Sequence, residues 1–397
     1  MLNAKEEAFI KEHINDDIRH LALSMKQHDN IRKEFVLQQI AGRQVIKHKV
    51  PSWFNIEGLI FPQQLSLEQC SSEATALYKA RLAGSGHTMI DMTGGFGVDF
   101  IFMSAGYDNG IYIEQSATLC DIAKHNFKLL RDKTSSVICN DGVKYIQQMT
   151  DTVDLVYLDP ARRDINGGKV VRISDCTPNL SSIEKSLVAK SKRVIAKLSP
   201  MLDINDTLSR LSYIKEVHIV SSDNECKELL LVMDSQSNNN VTIHTANIFA
   251  GGIQSFTYAL EDNAVDDVSF TTDTCQYLYE PNSSIMKAGG FKIIASRFNV
   301  KKLHPNSHLY TDDTLIGSFP GRRFAIIKTL GFSKSELSSL QKEFPRANIA
   351  VRNFPLRAEE LRKKQKNKDG GDIYIFASTL YNDKHVLIVC KKKKKKG

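Results

Sequence analysis

At 397 residues, 42% hydrophobic and 25% charged, the chain has the composition of a globular protein and enough length for two or three separately packed cores. It contains no run of eighteen apolar residues, its N-terminus carries acids without an apolar stretch, and its seven cysteines are scattered with no Cys-x-x-Cys pair. The cysteine pattern argues against a disulfide framework or a zinc knuckle, and the chain is expected to have neither a membrane span nor a secretory leader and to reside in the cytoplasm.

From Ala4 to about Lys47, apolar residues recur at helical spacing (Phe9, Ile14, Ile18, Leu21, then Phe35, Val36, Ile40) and predict two or three helices. Pro51 and the stretch Trp53 to Pro62 interrupt the pattern. Ser66 is then expected to cap a helix over Glu68 to Leu82, so residues 1–82 read as a helical N-terminal region.

Residues 83–235 alternate short β-branched runs with helical segments, the pattern of a Rossmann-like α/β sheet with crossover helices. Strands are expected at Thr88 to Met92, Gly110 to Glu114, Ser136 to Cys139, Leu155 to Asp159 and Arg193 to Leu198. Val217 to Ser221 and Leu229 to Asp234, joined by the polar loop Ser222 to Glu228, read as an antiparallel hairpin at the sheet edge. After the linker Ser235 to Asn240, residues 241–322 and 323–390 read as two small α/β pieces, followed by a solvated basic tail at 391–397.

The densest chemical signal is Asp91-x-Thr93-Gly94-Gly95-Phe96-Gly97-x-Asp99, placed after an apolar strand and before a helical segment. A glycine turn at a strand's carboxyl end lets backbone approach a ligand, and the helix start offers unpaired N–H groups to a carboxylate. A dinucleotide site needs Gly-x-Gly-x-x-Gly; counted from Gly95, Phe100 stands where the third glycine belongs, which disfavours NAD. Glu114 ends the second strand, where a carboxylate accepts hydrogen bonds from both hydroxyls of a ribose. Asp141, in Asn140-Asp141-Gly142 after the third strand, faces the adenine position, although a plain turn also explains Asp-Gly. Asp159, closing the fourth strand in Asp159-Pro160-Ala161-Arg162-Arg163, joins them at the same sheet edge. Agreement at four strand ends points to S-adenosylmethionine, with Asp91, Thr93, Gly95, Gly97, Asp99, Glu114 and Asp141 as its candidate contacts.

On the acceptor side, Asp159 is the candidate to orient an amine or ring nitrogen and take its proton. Amino-group methyltransferases carry Asp/Asn-Pro-Pro-aromatic at this point, and here Ala161-Arg162 replaces the ending, so the stacking ring is absent and Arg162 or Arg163 is placed to hold a phosphate or base. Lys197, at the end of the fifth strand, also faces the site. No cysteine follows Pro160, which disfavours a thiol nucleophile, and none of the eleven histidines shows a metal spacing, so no metal is predicted.

Asp91 to Asp99 together with Tyr157-Leu-Asp-Pro-Ala-Arg-Arg163 resembles the bacterial class I S-adenosylmethionine-dependent methyltransferases with a THUMP-like C-terminal domain. Tyr277 to Asn282, Ile285 to Phe291 and Leu303 to Tyr310 are similar to that family's ferredoxin-like segment, and Val351 to Leu356, Glu360 to Lys364 and Gly370 to Tyr374 to its THUMP-like domain. THUMP domains bind RNA, so the resemblance implies an RNA substrate, tRNA or rRNA. Charge agrees independently: residues 281–397 hold 25 Lys and Arg against 9 Asp and Glu within a chain of net +8. The cluster Arg357, Arg362, Lys363, Lys364, Lys366 and Lys368 is the candidate phosphate-contacting surface, against the plainer reading of a solvated helix and loop. Competing readings are a small-molecule or protein methyltransferase, and a catalytically inactive module that binds S-adenosylmethionine and RNA. The sequence leaves the modified atom and the oligomeric state open.

Overall fold

The computed structural model describes residues 2–25, 30–131, 134–162, 173–236, 240–264, 268–365 and 367–393, with the backbone alone at 162, 263 and 264. Two compact units divide the chain: Met1–His218 with Glu228–Asn239, and Ile219–Lys227 with Asn240–Gly397. Among the described residues no helix is long and apolar enough to cross a membrane.

The first unit opens with α1 (Ala4–His13), α2 (Ile18–Ser24), α3 (Lys33–Lys49), α4 (Pro51–Phe54), α5 (Gln64–Gln69) and α6 (Glu73–Ala83). Asn3 starts α1 with a capping box, its side chain accepting from the Glu6 amide at 3.0 Å while Glu6 accepts from the Asn3 amide. The buried Glu6 carboxylate also pairs with Arg32 at 2.7 Å, fastening α1 to the entry of α3. The single helix expected over Glu68 to Leu82 is broken, because Cys70 is extended (ψ 159°). Ser72, rather than Ser66, caps the helix that continues, its Oγ accepting from the Thr75 amide. The break turns Ser71 inward, where its hydroxyl reaches Asp99 at 2.8 Å.

The sheet strands are β1 (Gly86–Asp91), β2 (Tyr107–Glu114), β3 (Ser135–Cys139), β4 (Val153–Leu158), β5 (Ser191–Leu198), β6 (Ile214–Ser222) and β7 (Glu225–Met233), in spatial order β3-β2-β1-β4-β5-β7-β6. β1 to β5 run parallel and β7 returns antiparallel on β5. Between the strands lie α7 (Val98–Ser104), α8 (Ala117–Leu130), α9 (Gly142–Gln148), α10 (Leu180–Lys190) and α11 (Ile204–Arg210). Ile90, Leu155, Val156, Val194 and Ile195 are wholly buried, as a parallel sheet covered on both faces requires. Trp53, Phe96, Phe100, Tyr112 and Phe127 build the core behind the glycine loop.

β6 and β7 meet at a two-residue turn, Asp223-Asn224, both with positive φ (49° and 66°), so the polar loop expected over Ser222 to Glu228 is mostly strand. Within the second unit the tip of β6 is covered by β8 (Thr242–Phe249): the Ser221 hydroxyl donates to the Ala246 carbonyl and the Asp223 amide to that of Ile248. This hairpin therefore lacks the free edge expected of it. β8 itself pairs antiparallel with β9 (Gly252–Ala259).

The remaining strands of the second unit, β10 (Tyr277–Pro281), β11 (Lys301–Lys302), β12 (Tyr310–Asp312), β13 (Gly321–Gly331), β14 (Asn348–Arg352), β15 (Ile373–Thr379) and β16 (His385–Lys392), form one sheet of order β11-β12-β10-β13-β16-β15-β14. Helices α12 (Ser283–Ala288), α13 (Phe291–Phe298), α14 (Lys334–Glu343) and α15 (Ala358–Gln365) complete the unit. Strands of the two pieces expected at 241–322 and 323–390 thus share one sheet. β13 joins them, pairing with β10 over Gly321 to Ala325 and with β16 through Gly331. The basic tail also begins later than expected: Lys391 sits opposite Ala325 and Ile373 in the sheet, Lys392 ends β16, and Lys394 to Gly397 lie outside the described residues.

Candidate functional site

Parallel pairing sets Asp91 beside Tyr157 on β4 and Tyr112 on β2, and Glu114 beside Cys139 on β3. The carboxyl ends of four strands therefore line up, and the predicted residues at those ends come together. Asp91 is 1% exposed; its Oδ1 accepts from the Thr93 amide at 3.0 Å. The Thr93 hydroxyl accepts from the Asp159 amide at 2.6 Å, so this threonine links the ends of β1 and β4.

The glycine loop is folded tightly against β2. The Gly94 amide donates to the Ile113 carbonyl and the Gly95 amide to Glu114 Oε2 at 2.9 Å, while the Tyr112 hydroxyl donates to the Gly95 carbonyl. A Cβ on Gly94 would lie 2.1 Å from the Tyr112 ring, so no other residue fits there. Gly97 has φ +84° and starts α7 without a side-chain cap. Glu114 receives the Ser116 amide on its other oxygen at 2.8 Å, and with two lone pairs per oxygen it retains capacity for hydroxyl donors. Asp141 caps α9, accepting from the Val143 and Lys144 amides, and its Oδ2 accepts from the Gln115 side-chain Nε2 at 3.1 Å.

Asp159 and Lys197 form the second centre. The lysine ammonium lies 2.5 Å from Asp159 Oδ2, with the lysine side chain 13% exposed and that of the aspartate 37% exposed. Burial raises the Asp159 carboxyl above its ordinary range, partly countered by Lys197. Burial works against the Lys197 ammonium too, but Asp159, Asp99 and Glu228 outweigh it and hold its pKa above the ordinary lysine value. The two therefore orient each other at the carboxyl ends of β4 and β5.

Asp99, expected to touch the cofactor, belongs to a buried network beneath the loop. It accepts from the Tyr157 hydroxyl at 2.6 Å and the Ser71 hydroxyl at 2.8 Å, and lies 3.2 Å from the Lys79 ammonium. Lys79, wholly buried, reaches Glu228 at 2.6 Å as well. Burial alone would raise the Asp99 carboxyl, yet Lys79, then Lys197 and the two hydroxyls, hold it below its usual value. Asp99 supports the loop from behind. Lys79, Glu228, Ser71 and Tyr157 carry no local motif, and Lys79 and Glu228 stand 149 positions apart, so sequence patterning does not reveal them.

The Arg162 side chain and all of Arg163 lie outside the described residues; the Arg162 backbone pairs with Cys176. In the second unit the predicted basic cluster falls on and around α15. Arg357 precedes the helix and its amide donates to Glu360, Arg362 pairs with Asp369 at 2.8 Å, and Lys363, Lys364 and Lys368 are exposed. Arg362 is thus partly neutralised within the fold, whereas the neighbouring lysines face solvent. Lys366 lies outside the described residues.

A ferredoxin-like domain family matches residues 277–320 and a THUMP domain-like family matches residues 321–392. The crystal structure of a candidate methyltransferase from Porphyromonas gingivalis is 34% identical, covers 99% of this chain and 100% of its own, and superposes with a TM-score of 0.90. TrmK of M. capricolum, solved with S-adenosyl-homocysteine as its cofactor product, is 14% identical over 41% of this chain and 68% of its own, with a TM-score of 0.32. An rRNA methylase from Streptococcus thermophilus is 8% identical over 40% of this chain and 93% of its own, with a TM-score of 0.30. No curated protein sequence matches the chain.

Proposed function

This chain belongs to the bacterial class I methyltransferases that carry ferredoxin-like and THUMP-like domains at the C-terminus, and from that premise we propose that it transfers a methyl group from S-adenosylmethionine to a nucleotide of structured RNA, tRNA or rRNA, in the cytoplasm. The observation that carries the reading is the convergence of Asp91, Glu114, Asp141 and Asp159 at adjacent strand ends around a loop in which Gly94 and Gly97 leave no room for a side chain.

The donor set fits the cofactor. Glu114 retains acceptor capacity for the ribose hydroxyls, Asp141 stands at the adenine position, and Gly95 and Gly97 present backbone beside Asp91 and Thr93. Bound there, S-adenosylmethionine supplies an electrophilic methyl group on a sulfonium. Asp159 orients the acceptor nitrogen by accepting its N–H and takes the proton as the nitrogen–carbon bond forms. Lys197 holds that carboxylate in place, and Thr93 fixes the backbone that carries it. Arg162 is assigned to a phosphate or base of the same nucleotide.

The reaction is assigned to residues 83–235, with residues 1–82 as a helical N-terminal region, and RNA holding to the basic C-terminal unit. Arg357, Arg362, Lys363 and Lys364 contact phosphates, with the exposed Lys363 and Lys364 contributing most because no acid pairs with them in the described structure. The test is mass spectrometry of nucleosides from RNA of cells with and without the gene. One methylated nucleoside is expected to vanish from the deletion and return with the wild-type gene but not with Asp159→Ala. Identical nucleoside profiles in tRNA and rRNA would count against an RNA substrate.

A further inference from the structure

The site carries more negative charge than its own cations balance. Five carboxylates, those of Asp91, Asp99, Glu114, Asp159 and Glu228, gather at or just beneath it, and among the described side chains two ammonium groups, Lys79 and Lys197, face them. Lys79 is shared by Asp99 at 3.2 Å and Glu228 at 2.6 Å, and Lys197 is taken by Asp159. Glu114 is answered by two backbone amides.

Asp91 is left with the least. It is 1% exposed, and its carboxylate accepts from the amide and the hydroxyl of Thr93. The groups around it are the carboxylates of Asp99 on α7, Asp159 beyond β4 and Glu114 on β2, and the phenols of Tyr112 and Tyr157. Those phenols donate elsewhere, to the Gly95 carbonyl and to Asp99.

We propose that this surplus makes the site a reader of cofactor charge: it prefers the sulfonium S-adenosylmethionine to the neutral thioether S-adenosylhomocysteine, with Asp91 as the specificity-determining carboxylate. The inference rests on the functional reading above. Both nucleosides carry the same ammonium and carboxylate, so the sulfonium charge is the electrostatic difference between them. A unit charge is stabilised most where carboxylates are buried and incompletely compensated. Loss of that charge on methyl transfer then weakens the hold on the product and aids its release.

Protonation follows the same balance. Burial, then the charges of Asp99, Asp159 and Glu114, push the Asp91 carboxyl well above its ordinary range, so it tends to hold a proton until a cation arrives. Binding of the sulfonium therefore expels a proton from Asp91. Preference for it is greatest at high pH and shrinks as pH falls and Asp91 becomes neutral.

Isothermal titration of the full chain with S-adenosylmethionine and S-adenosylhomocysteine, at pH 6 and pH 8 and in buffers of different ionisation enthalpy, tests this. The expected result is roughly tenfold or greater preference for the sulfonium at pH 8, a smaller ratio at pH 6, and more protons released by the sulfonium. Asp91→Asn should move the ratio toward one, whatever it does to overall affinity; the wild-type proton count stands even if that variant fails to fold. Equal or tighter binding of S-adenosylhomocysteine at pH 8, without differential proton release, overturns the inference alone. Absence of binding by either nucleoside overturns the cofactor reading and the inference with it.

Discussion

Removing the Lys79 ammonium tests whether the buried network beneath the loop holds the first unit together. Its side chain is wholly buried, between Asp99 and Glu228, whose side chains are 10% and 5% exposed. Lys79→Met keeps the length of the side chain but strands two carboxylates in the interior. Breaking a buried ion pair from one side costs about 3–5 kcal/mol, because the remaining charge keeps its desolvation penalty and loses its partner. For a unit of this size, that corresponds to a fall in Tm of roughly 6–20 °C. The assay is urea and thermal unfolding followed by circular dichroism, with ligand omitted.

The pH dependence of the deficit gives a second reading of the same change. In the wild type, Asp99 is held below its ordinary pKa, so its contribution is complete above the carboxylate range and is lost as pH falls through the depressed value. In Lys79→Met the stranded carboxylates have raised pKa values, so acidification neutralises them and the deficit should be smaller at pH 5 than at pH 8. Adding Glu228→Gln to Lys79→Met should recover at least about 1 kcal/mol. A Lys79→Met protein within about 1 kcal/mol of wild type at pH 8 would refute the reasoning.

Gly94→Ala places a methyl group 2.1 Å from the Tyr112 ring; it should cost about 1–3 kcal/mol in urea unfolding and abolish nucleoside binding in titration calorimetry, and unchanged affinity would contradict the packing of the loop. Hydrogen bonds from Lys192, Thr88 and His87 draw the Asp154 carboxyl down to about 2. Its stabilisation is therefore complete above its ordinary value and lost as pH falls toward 2. Asp154→Asn should destabilise by on the order of 1 kcal/mol at pH 7, the Lys192 partner being well exposed, and converge with wild type near pH 2. Lys363→Glu with Lys364→Glu should weaken RNA binding and flatten its salt dependence by about 0.7–0.9 for each phosphate no longer neutralised, leaving cofactor affinity unchanged; an unaltered slope would move the RNA surface elsewhere.

The cluster of strand-end carboxylates is legible in the sequence because each follows a short apolar strand, and parallel pairing then brings Asp91, Glu114, Asp141 and Asp159 together without further information. The network that supports them is not legible. Lys79 reads as one more charge on an amphipathic helix, and its partner Glu228 is brought to it by the returning strand β7, far along the chain. The partners of Asp99 are hidden for the same reason: its place in the glycine motif suggests a ligand contact and gives no sign of Ser71, Lys79 and Tyr157, which engage it in the fold. In the C-terminal unit the sequence suggests two small α/β pieces, but their sharing of one sheet depends on β13 pairing along its length with β10 and β16. Lys391 and Lys392 look like a tail by composition and become strand because two neighbours offer them hydrogen-bonding partners.

The most direct measurement of the central claim is transfer of labelled methyl from S-adenosylmethionine, by the purified full chain, to total RNA from cells lacking the gene. The account predicts label in a single nucleoside of tRNA or rRNA, lost with Asp159→Ala although that variant still binds the cofactor. Cofactor binding by the wild type with no label transferred to any RNA would contradict it.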